Sequence, residues 1–276
     1  MTIITNDPAK RYYYTLLFGD KYRVKIATRN VNIPGIQNFR DLGGYPSYST
    51  KKQVRWGMIY RSAEIDSLEC YSRRELRNLG IKTLIDLRAS SETGRQSPLQ
   101  KEFNVVHIPL ATGDMENILK GIREEKIKSD TVYRMVEQMN RDLIDKYTTE
   151  YRQIFDILLD KNSYPVVIHC SSGKGRTGIV SALVLAALGI NEDIIMEDYR
   201  LSNDYFNIPS ASKDAYQLPA RSQEAITTLF SAREDFLNAA KEEAERRYGD
   251  IDSYLQKGIG LNKDEIKRLR SILLSD

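Results

Sequence analysis

Cys170 and Arg176 enclose five residues, Ser171, Ser172, Gly173, Lys174 and Gly175, in the segment HCSSGKGRTG (His169 to Gly178). Two glycines let so short a segment curl with its backbone N–H groups turned inward. A helix starting near Arg176 adds unsatisfied amides and the positive end of its dipole. A ring of this kind, formed by Ser171, Ser172, Gly173, Lys174, Gly175 and Arg176, is a cradle for inorganic phosphate or a similar oxyanion. The same field favours a thiolate, so Cys170 is expected to ionise below the free-thiol value of about 8.5 and to act as a nucleophile at neutral pH. Arg176 offers parallel N–H donors to two phosphoryl oxygens, a geometry that Lys lacks. Thr177 can place a hydroxyl near the sulfur and ease breakdown of a covalent intermediate, and His169 can orient the loop by side-chain hydrogen bonding. The bland alternative, chance spacing around an ordinary glycine turn, fits poorly with a strand before the loop and a helix after it. A Walker-type nucleotide loop needs Gly-Lys followed by Ser or Thr, which Gly173-Lys174-Gly175 does not supply.

The elements that must hold this loop can be read on either side of it. The apolar run YPVVIH (Tyr164 to His169) predicts a buried strand, and GIVSALVLAALG predicts a buried helix ended by Gly189. Further strands are expected at IKTLIDL (Ile81 to Leu87), NVVHIPL (Asn104 to Leu110) and VRWGMIYRS (Val54 to Ser62). Tyr12 to Ala27 reads as a hairpin around Gly19-Asp20. Ser67 is expected to cap a helix that Gly80 stops. Helical periodicity runs between Ala111 and Leu159, and again over Glu192 to Asn203, Ser222 to Tyr248 and Lys263 to Leu274, the last capped at Asn262. Strands alternating with helices predict an α/β fold with a central, mostly parallel sheet flanked by helices, whose ligands sit at the carboxyl ends of the strands. The expected organisation is one domain over 1–276, with an N-terminal hairpin extension at 1–32, a helical insertion at 111–150 and a helical C-terminal part at 191–276.

Composition narrows the partners. Among 276 residues, 41 Lys and Arg face 38 Asp and Glu, a surplus too small for a nucleic-acid footprint. The start MTIITNDPAKRYYY has no basic head and apolar run of the Sec type, and the longest apolar stretch, Ile179 to Ile190, is about half a membrane span. No integral membrane association is expected, and the expected location is cytoplasmic. Cys70 and Cys170 are the two cysteines, which excludes a disulfide framework and suits a reducing compartment.

HCSSGKGRTG resembles the signature loop of protein tyrosine and dual-specificity phosphatases. NFRDLGG (Asn38 to Gly44), YRSAEI (Tyr60 to Ile65), LGIKTLIDLR (Leu79 to Arg88), EYRQIF (Glu150 to Phe155) and YGDIDSYL (Tyr248 to Leu255) extend the likeness to the bacterial tyrosine/lipid phosphatase family, from about Ile33 to Leu274. The resemblance implies a protein-tyrosine-phosphatase-like domain with Cys170 as nucleophile, Arg176 as phosphate clamp, and no metal or other cofactor. It implies as substrate a phosphorylated protein or peptide, or a phosphoinositide. The Gly173 to Arg176 stretch also resembles tumour-suppressor-type phosphoinositide phosphatases. Lys174 matches one of their loop lysines, and Ser171 stands where they carry another. Gly175 stands where many members of the bacterial family have an acid.

A general acid must protonate the leaving oxygen. Asp86 matches the family's DLR motif at the carboxyl edge of its strand and is the favoured candidate. Asp114, in the PLATGD loop, follows the dual-specificity pattern and is the alternative. For Asp86 the structural reading is an ion pair with Arg88 or Arg61. The helices between Met115 and Tyr147 are expected as a lid. Arg40 with Asp41 is read as a structural pair, and Cys70 and His107 as packed structural residues. Two other classes compete with the enzymatic reading. A phosphate-recognising pseudophosphatase would bind without turnover, and a sulfur-transfer or arsenate-reducing enzyme would need further reactive thiols.

Overall fold

The computed structural model describes residues 11–19, 22–66, 68–93 and 98–275. Strands β1 (Tyr13–Phe18) and β2 (Tyr22–Ala27) form the expected antiparallel hairpin, of whose turn Gly19 is described and Asp20 lies outside the described residues. The hairpin is tied to the body by Arg11, paired with Asp41 at 2.7 Å, and by Trp56 Nε1 donating to the Lys25 carbonyl at 2.9 Å. Short strands β3 (Arg40–Asp41), β4 (Pro46–Ser47) and β5 (Lys52–Val54) follow, then β6 (Ile59–Ser62). The single strand expected over Val54 to Ser62 is thus two. Gly57, at φ 78°, turns the chain between them, and its N–H donates to Asp41 Oδ2.

Helix α1 (Cys70–Asn78) ends at the expected Gly80, whose φ is 72°. The cap expected of Ser67 lies outside the described residues, and the helix is capped two positions later at Glu69. Next come β7 (Thr83–Asp86) and β8 (Asn104–His107), then helices α2 (Met115–Arg123), α3 (Ser129–Lys146) and α4 (Thr148–Leu159). Strand β9 (Val166–His169) leads into α5 (Gly175–Ala187). Helices α6 (Glu192–Arg200), α7 (Ser202–Tyr205), α8 (Ile208–Ala211), α9 (Ala220–Phe230) and α10 (Glu234–Tyr248) follow. Then α11 (Ile251–Ser253) runs into a π-helical turn, and α12 (Lys263–Leu273) leads to β10 (Leu274–Ser275), which pairs with β5. α12 carries the expected Asn262 cap, completed by Glu265 into a capping box.

The helix expected over Ser222 to Tyr248 is broken between Phe230 and Glu234. Asn203 brackets the break: its Oδ1 accepts from the Ala232 N–H at 2.7 Å and its Nδ2 donates to the Ala232 carbonyl at 3.0 Å. A side chain thus takes the backbone bonds that would have continued the helix.

The central sheet has the order β3-β6-β9-β7-β8, parallel except for β3 at its edge. Its register sets Ser62, His169 and Asp86 side by side at the carboxyl ends of three adjacent strands. β9 is buried on both faces. Val166 and Ile168 pack in the main core with α5, and Val167 packs in the second core with Tyr60, Leu76 and Leu84. A third apolar cluster, including Ile118, Ile122, Val132, Ile226 and Leu229, joins α2, α3 and α9. No helix among the described residues is long and apolar enough to cross a membrane.

Candidate active site

Strand β9 ends at His169, and the next residue, Cys170, is buried at 1% exposure in the turn that leads to α5. Gly173 takes φ 69°, and a Cβ there would stand 2.4 Å from the Ser62 carbonyl oxygen, so the turn requires glycine twice over. The loop's carbonyls point outward into fixed donors. Asn38 Nδ2 donates to the carbonyls of Ser172 (3.0 Å) and Gly173 (3.1 Å), and Arg61 Nη2 donates to Gly173 at 2.8 Å. The Glu64 N–H donates to the Ser171 carbonyl at 3.3 Å. With its carbonyls held outside, the loop turns N–H groups toward the sulfur. Burial pushes the Cys170 thiol up, but the Arg176 charge foremost, with the Thr177 and Gly173 N–H groups, brings it below its ordinary value.

The donors behind the loop form a buried network that the sequence did not announce. Asp198, 1% exposed on α6, accepts from Arg61 Nη1 (2.6 Å), Arg40 Nε (3.2 Å) and the Tyr45 hydroxyl (2.9 Å). Arg40 also donates to Asn38 Oδ1, and to the Asp198 carbonyl at 2.7 Å. Burial opposes the Asp198 charge, yet Arg40 and Arg61 hold its carboxyl far below the usual range. Arg40 and Asp41 are therefore not partners. Neighbours in a strand face opposite sides, and Asp41 accepts from Arg11 and from the Gly43 and Gly57 N–H groups instead. Replacing Asp198 by Asn should cost about 3–5 kcal/mol in urea unfolding, because two buried guanidiniums lose their counter-charge. A loss below about 1 kcal/mol would show that the network does not carry the loop. With a depressed folded pKa, the aspartate's contribution is present above the unfolded carboxylate value and fades as pH falls toward the folded one.

Arg176 is held by Glu92. Its Nη2 donates to Glu92 Oε1 at 2.8 Å, its Nη1 to Oε2, and its Nη2 to Ser171 Oγ at 3.1 Å. Glu92 also accepts from the Ser171 hydroxyl at 2.6 Å and the Ala89 N–H at 2.8 Å. Burial would raise its carboxyl, but these donors, Arg176 foremost, bring it down to about 2. The carboxylate orients the guanidinium and occupies the paired donors that two phosphoryl oxygens would use. Sequence reasoning passed over Glu92. The available signal was an acid in the loop after β7, at the carboxyl edge of the sheet.

Asp86 stands beside His169, but both of its oxygens belong to Arg88. Oδ1 accepts from the Arg88 N–H and Nε, each at 3.0 Å, and Oδ2 from Nη2 at 2.7 Å. Arg88 also forks to Asp66, with Nη2 donating to Oδ1 at 2.8 Å. Burial pushes the Asp86 carboxyl up, and the hydrogen bonds and charge of Arg88, with His169 beside it, bring it below its ordinary value. This is the ion-pair neighbourhood, not that of a carboxyl free to hold a proton. His169 Nδ1 lies 3.9 Å from Asp86 Oδ1 and makes no hydrogen bond. Burial brings the ring down to about 4 and keeps it neutral. His107 Nε2 bonds the Arg88 carbonyl at 2.7 Å, a structural place. Cys70, expected to be packed, is exposed as the first residue of α1, where Arg73 donates to its sulfur at 3.2 Å. Asp114 caps α2, accepting from the Asn117 N–H at 3.0 Å.

Residues 31–275, which hold the whole central sheet and all the helices and leave out the β1-β2 hairpin, match the tyrosine phosphatase family. The chain belongs to this family. The phosphatase is 30% identical over 285 residues to the triple specificity protein phosphatase PtpB of Mycobacterium tuberculosis, covering 88% of this chain and 98% of that one. It is 25% identical to a putative tyrosine-protein phosphatase of Cupriavidus necator, over 84% of this chain and 85% of the other. Among solved structures, the catalytic core of Siw14 aligns over 77% of this chain and 95% of its own, at 17% identity and a TM-score of 0.38.

In the phosphatase the loop lies under a cover. A half-open cavity of about 80 Å³ beside Cys170 and Arg176 is bordered by Thr112, Met115, Met139 and Leu229, from the approach to α2 and from α2, α3 and α9. It has room for a few waters. Lys174 also lines it, 4% exposed and with no hydrogen bond to its ammonium.

Proposed function

We propose that this phosphatase hydrolyses phosphotyrosine-type phosphomonoesters and phosphoinositides through a phosphocysteine on Cys170. The observation that carries the reading is a buried sulfur in a glycine turn whose carbonyls Asn38 and Arg61 hold outward, lining one cavity with Arg176. The thiolate attacks phosphorus in line, the ester P–O bond breaks, and the leaving oxygen takes a proton. Loop amides, the Gly173 N–H among them, and the Arg176 guanidinium stabilise the equatorial oxygens. Water then attacks the phosphocysteine, inorganic phosphate leaves, and the Thr177 hydroxyl eases departure of the sulfur. The lipid arm is supported by Lys174, an unpaired cation on the cavity wall, and by the likeness to a relative named for triple specificity.

For the proton we favour Asp114 over Asp86. Thr112 and Met115, which flank it in sequence, line the cavity, while Asp86 is committed to Arg88. Asp114→Asn should lower kcat by roughly a hundredfold for poor leaving groups and abolish the alkaline limb of its pH profile. Asp86→Asn should keep that limb and lose stability. The opposite pattern assigns the proton to Asp86. α2 and α3, which border the cavity through Met115 and Met139, act as the lid read for 111–150 and move on binding. The deciding experiment is a phosphate-release panel of phosphotyrosine peptides, phosphoserine peptides and phosphoinositides, with Cys170→Ser as blank. Binding without release across the panel would favour a phosphate-recognising pseudophosphatase.

A further inference from the structure

Lys174 is the N-cap of α5, inside the Cys170 to Arg176 loop, yet its side chain does not leave for solvent. Its ammonium lies 5.0 Å from the centre of the Phe206 ring and 4.9 Å from that of Phe230, and it has no hydrogen-bond acceptor. The two rings are stacked on each other, centroids 5.6 Å apart. They come from distant parts of the chain. Phe206 lies between α7 and α8, and Phe230 ends α9, immediately before the break that Asn203 brackets. The segment carrying Phe206 is fixed at both ends to the strand region that holds the loop: the Asn38 N–H donates to the Tyr205 carbonyl at 2.9 Å, and the Asn207 N–H to Gln37 Oε1 at 2.6 Å.

We propose that Phe206 and Phe230 are specificity-determining residues, whose ring faces hold the Lys174 ammonium on the cavity wall as the seat for a second phosphate on an inositol ring that is dephosphorylated at Cys170. The inference rests on the phosphoinositide arm of the proposed function and adds the residues that prepare its cation. An ammonium desolvated without an acceptor is costly, and ring faces are partners that retain it there without supplying oxygen. Its N–H donors have no protein acceptor, so an anionic group brought in by the substrate meets an unpaired cation. Burial lowers the ammonium to about 7, as expected of a cation whose full partner is still to come. Phe206 and Phe230 touch the lysine and not the reacting atoms, so they position a binding group.

The test uses the full chain and compares kcat/KM for an inositol ring bearing one phosphate with the same ring bearing two. Each is presented both as a short-chain phosphatidylinositol and as the free inositol phosphate, with para-nitrophenyl phosphate as the single-anion reference. Wild type should prefer the doubly phosphorylated ring. Phe206→Leu with Phe230→Leu, which keeps apolar volume and removes the ring faces, should reduce that preference by about tenfold through KM, the equivalent of about 1.4 kcal/mol. Turnover of para-nitrophenyl phosphate should stay within about threefold. Lys174→Met should reproduce the loss, and Phe206→Tyr with Phe230→Tyr should retain the preference. Equal effects in lipid and free arms support a seat for the phosphate itself, and an effect confined to the lipid arm overturns it. The proposal is also overturned if wild type shows no preference between the two rings, if the Leu variant keeps the preference, or if all substrates fall together. Loss of para-nitrophenyl phosphate turnover in wild type would instead remove the phosphatase mechanism itself.

Discussion

Cys170→Ser is expected to lower kcat by roughly ten-thousandfold or more while leaving the loop able to bind inorganic phosphate. The hydroxyl is a far weaker nucleophile than a thiolate, and neither His169 nor Asp86 is placed to deprotonate it. His169 is neutral and makes no hydrogen bond through Nδ1, and Asp86 is committed to Arg88. The cradle does not depend on the sulfur. Asn38 and Arg61 hold the loop's carbonyls outward whichever atom stands at position 170. Phosphate affinity by calorimetry should therefore persist, and should tighten, because the anion no longer faces a negative sulfur. Loss of phosphate binding together with turnover would mean that the sulfur shapes the loop, and retained turnover would remove Cys170 from the reaction.

Arg176→Lys should cost both binding and rate, by roughly a hundredfold to a thousandfold in kcat/KM. Lysine keeps the charge, so a role as simple counter-ion predicts a small loss. The geometry predicts a large one, since Arg176 also brings down the Cys170 thiol and meets Glu92 through both terminal nitrogens. The acidic limb of the kcat/KM profile should move to higher pH in this variant, because the foremost group favouring the thiolate has lost its fixed position. An unchanged limb would show that the amides and Thr177 set the sulfur's ionisation without the guanidinium. Glu92 adds a condition on substrate binding: phosphate must displace or share the donors that its carboxylate holds.

The loop was legible because everything that shapes it is local. A buried strand, two glycines and a buried helix lie within about twenty consecutive residues, and each follows from periodicity or turn chemistry. The parallel sheet and the placing of the loop at its carboxyl edge followed from the alternation of elements. What holds the loop was not legible. Asp198 meets Arg40 across 158 positions and Arg61 across 137, and one acid among the four of an amphipathic helix looks like any solvated one. Arg40 beside Asp41 invited a pairing that the pleat of the strand forbids. The break after Phe230 was hidden because its cause, the amide of Asn203, is a side chain 29 positions away. Asp86 shows the limit of a motif: DLR named the residue, and the geometry gave its oxygens to the arginine of that same motif.

The central claim, a covalent phosphoenzyme on one named sulfur, is tested most directly by quenching the enzyme in acid within milliseconds of mixing with an aryl phosphate and mapping phosphorylated peptides by mass spectrometry. The account predicts phosphate on the peptide containing Cys170, formed in a burst with release of the phenol and lost as inorganic phosphate emerges. Steady turnover with no phosphate on that peptide, or with phosphate on another residue, would contradict it.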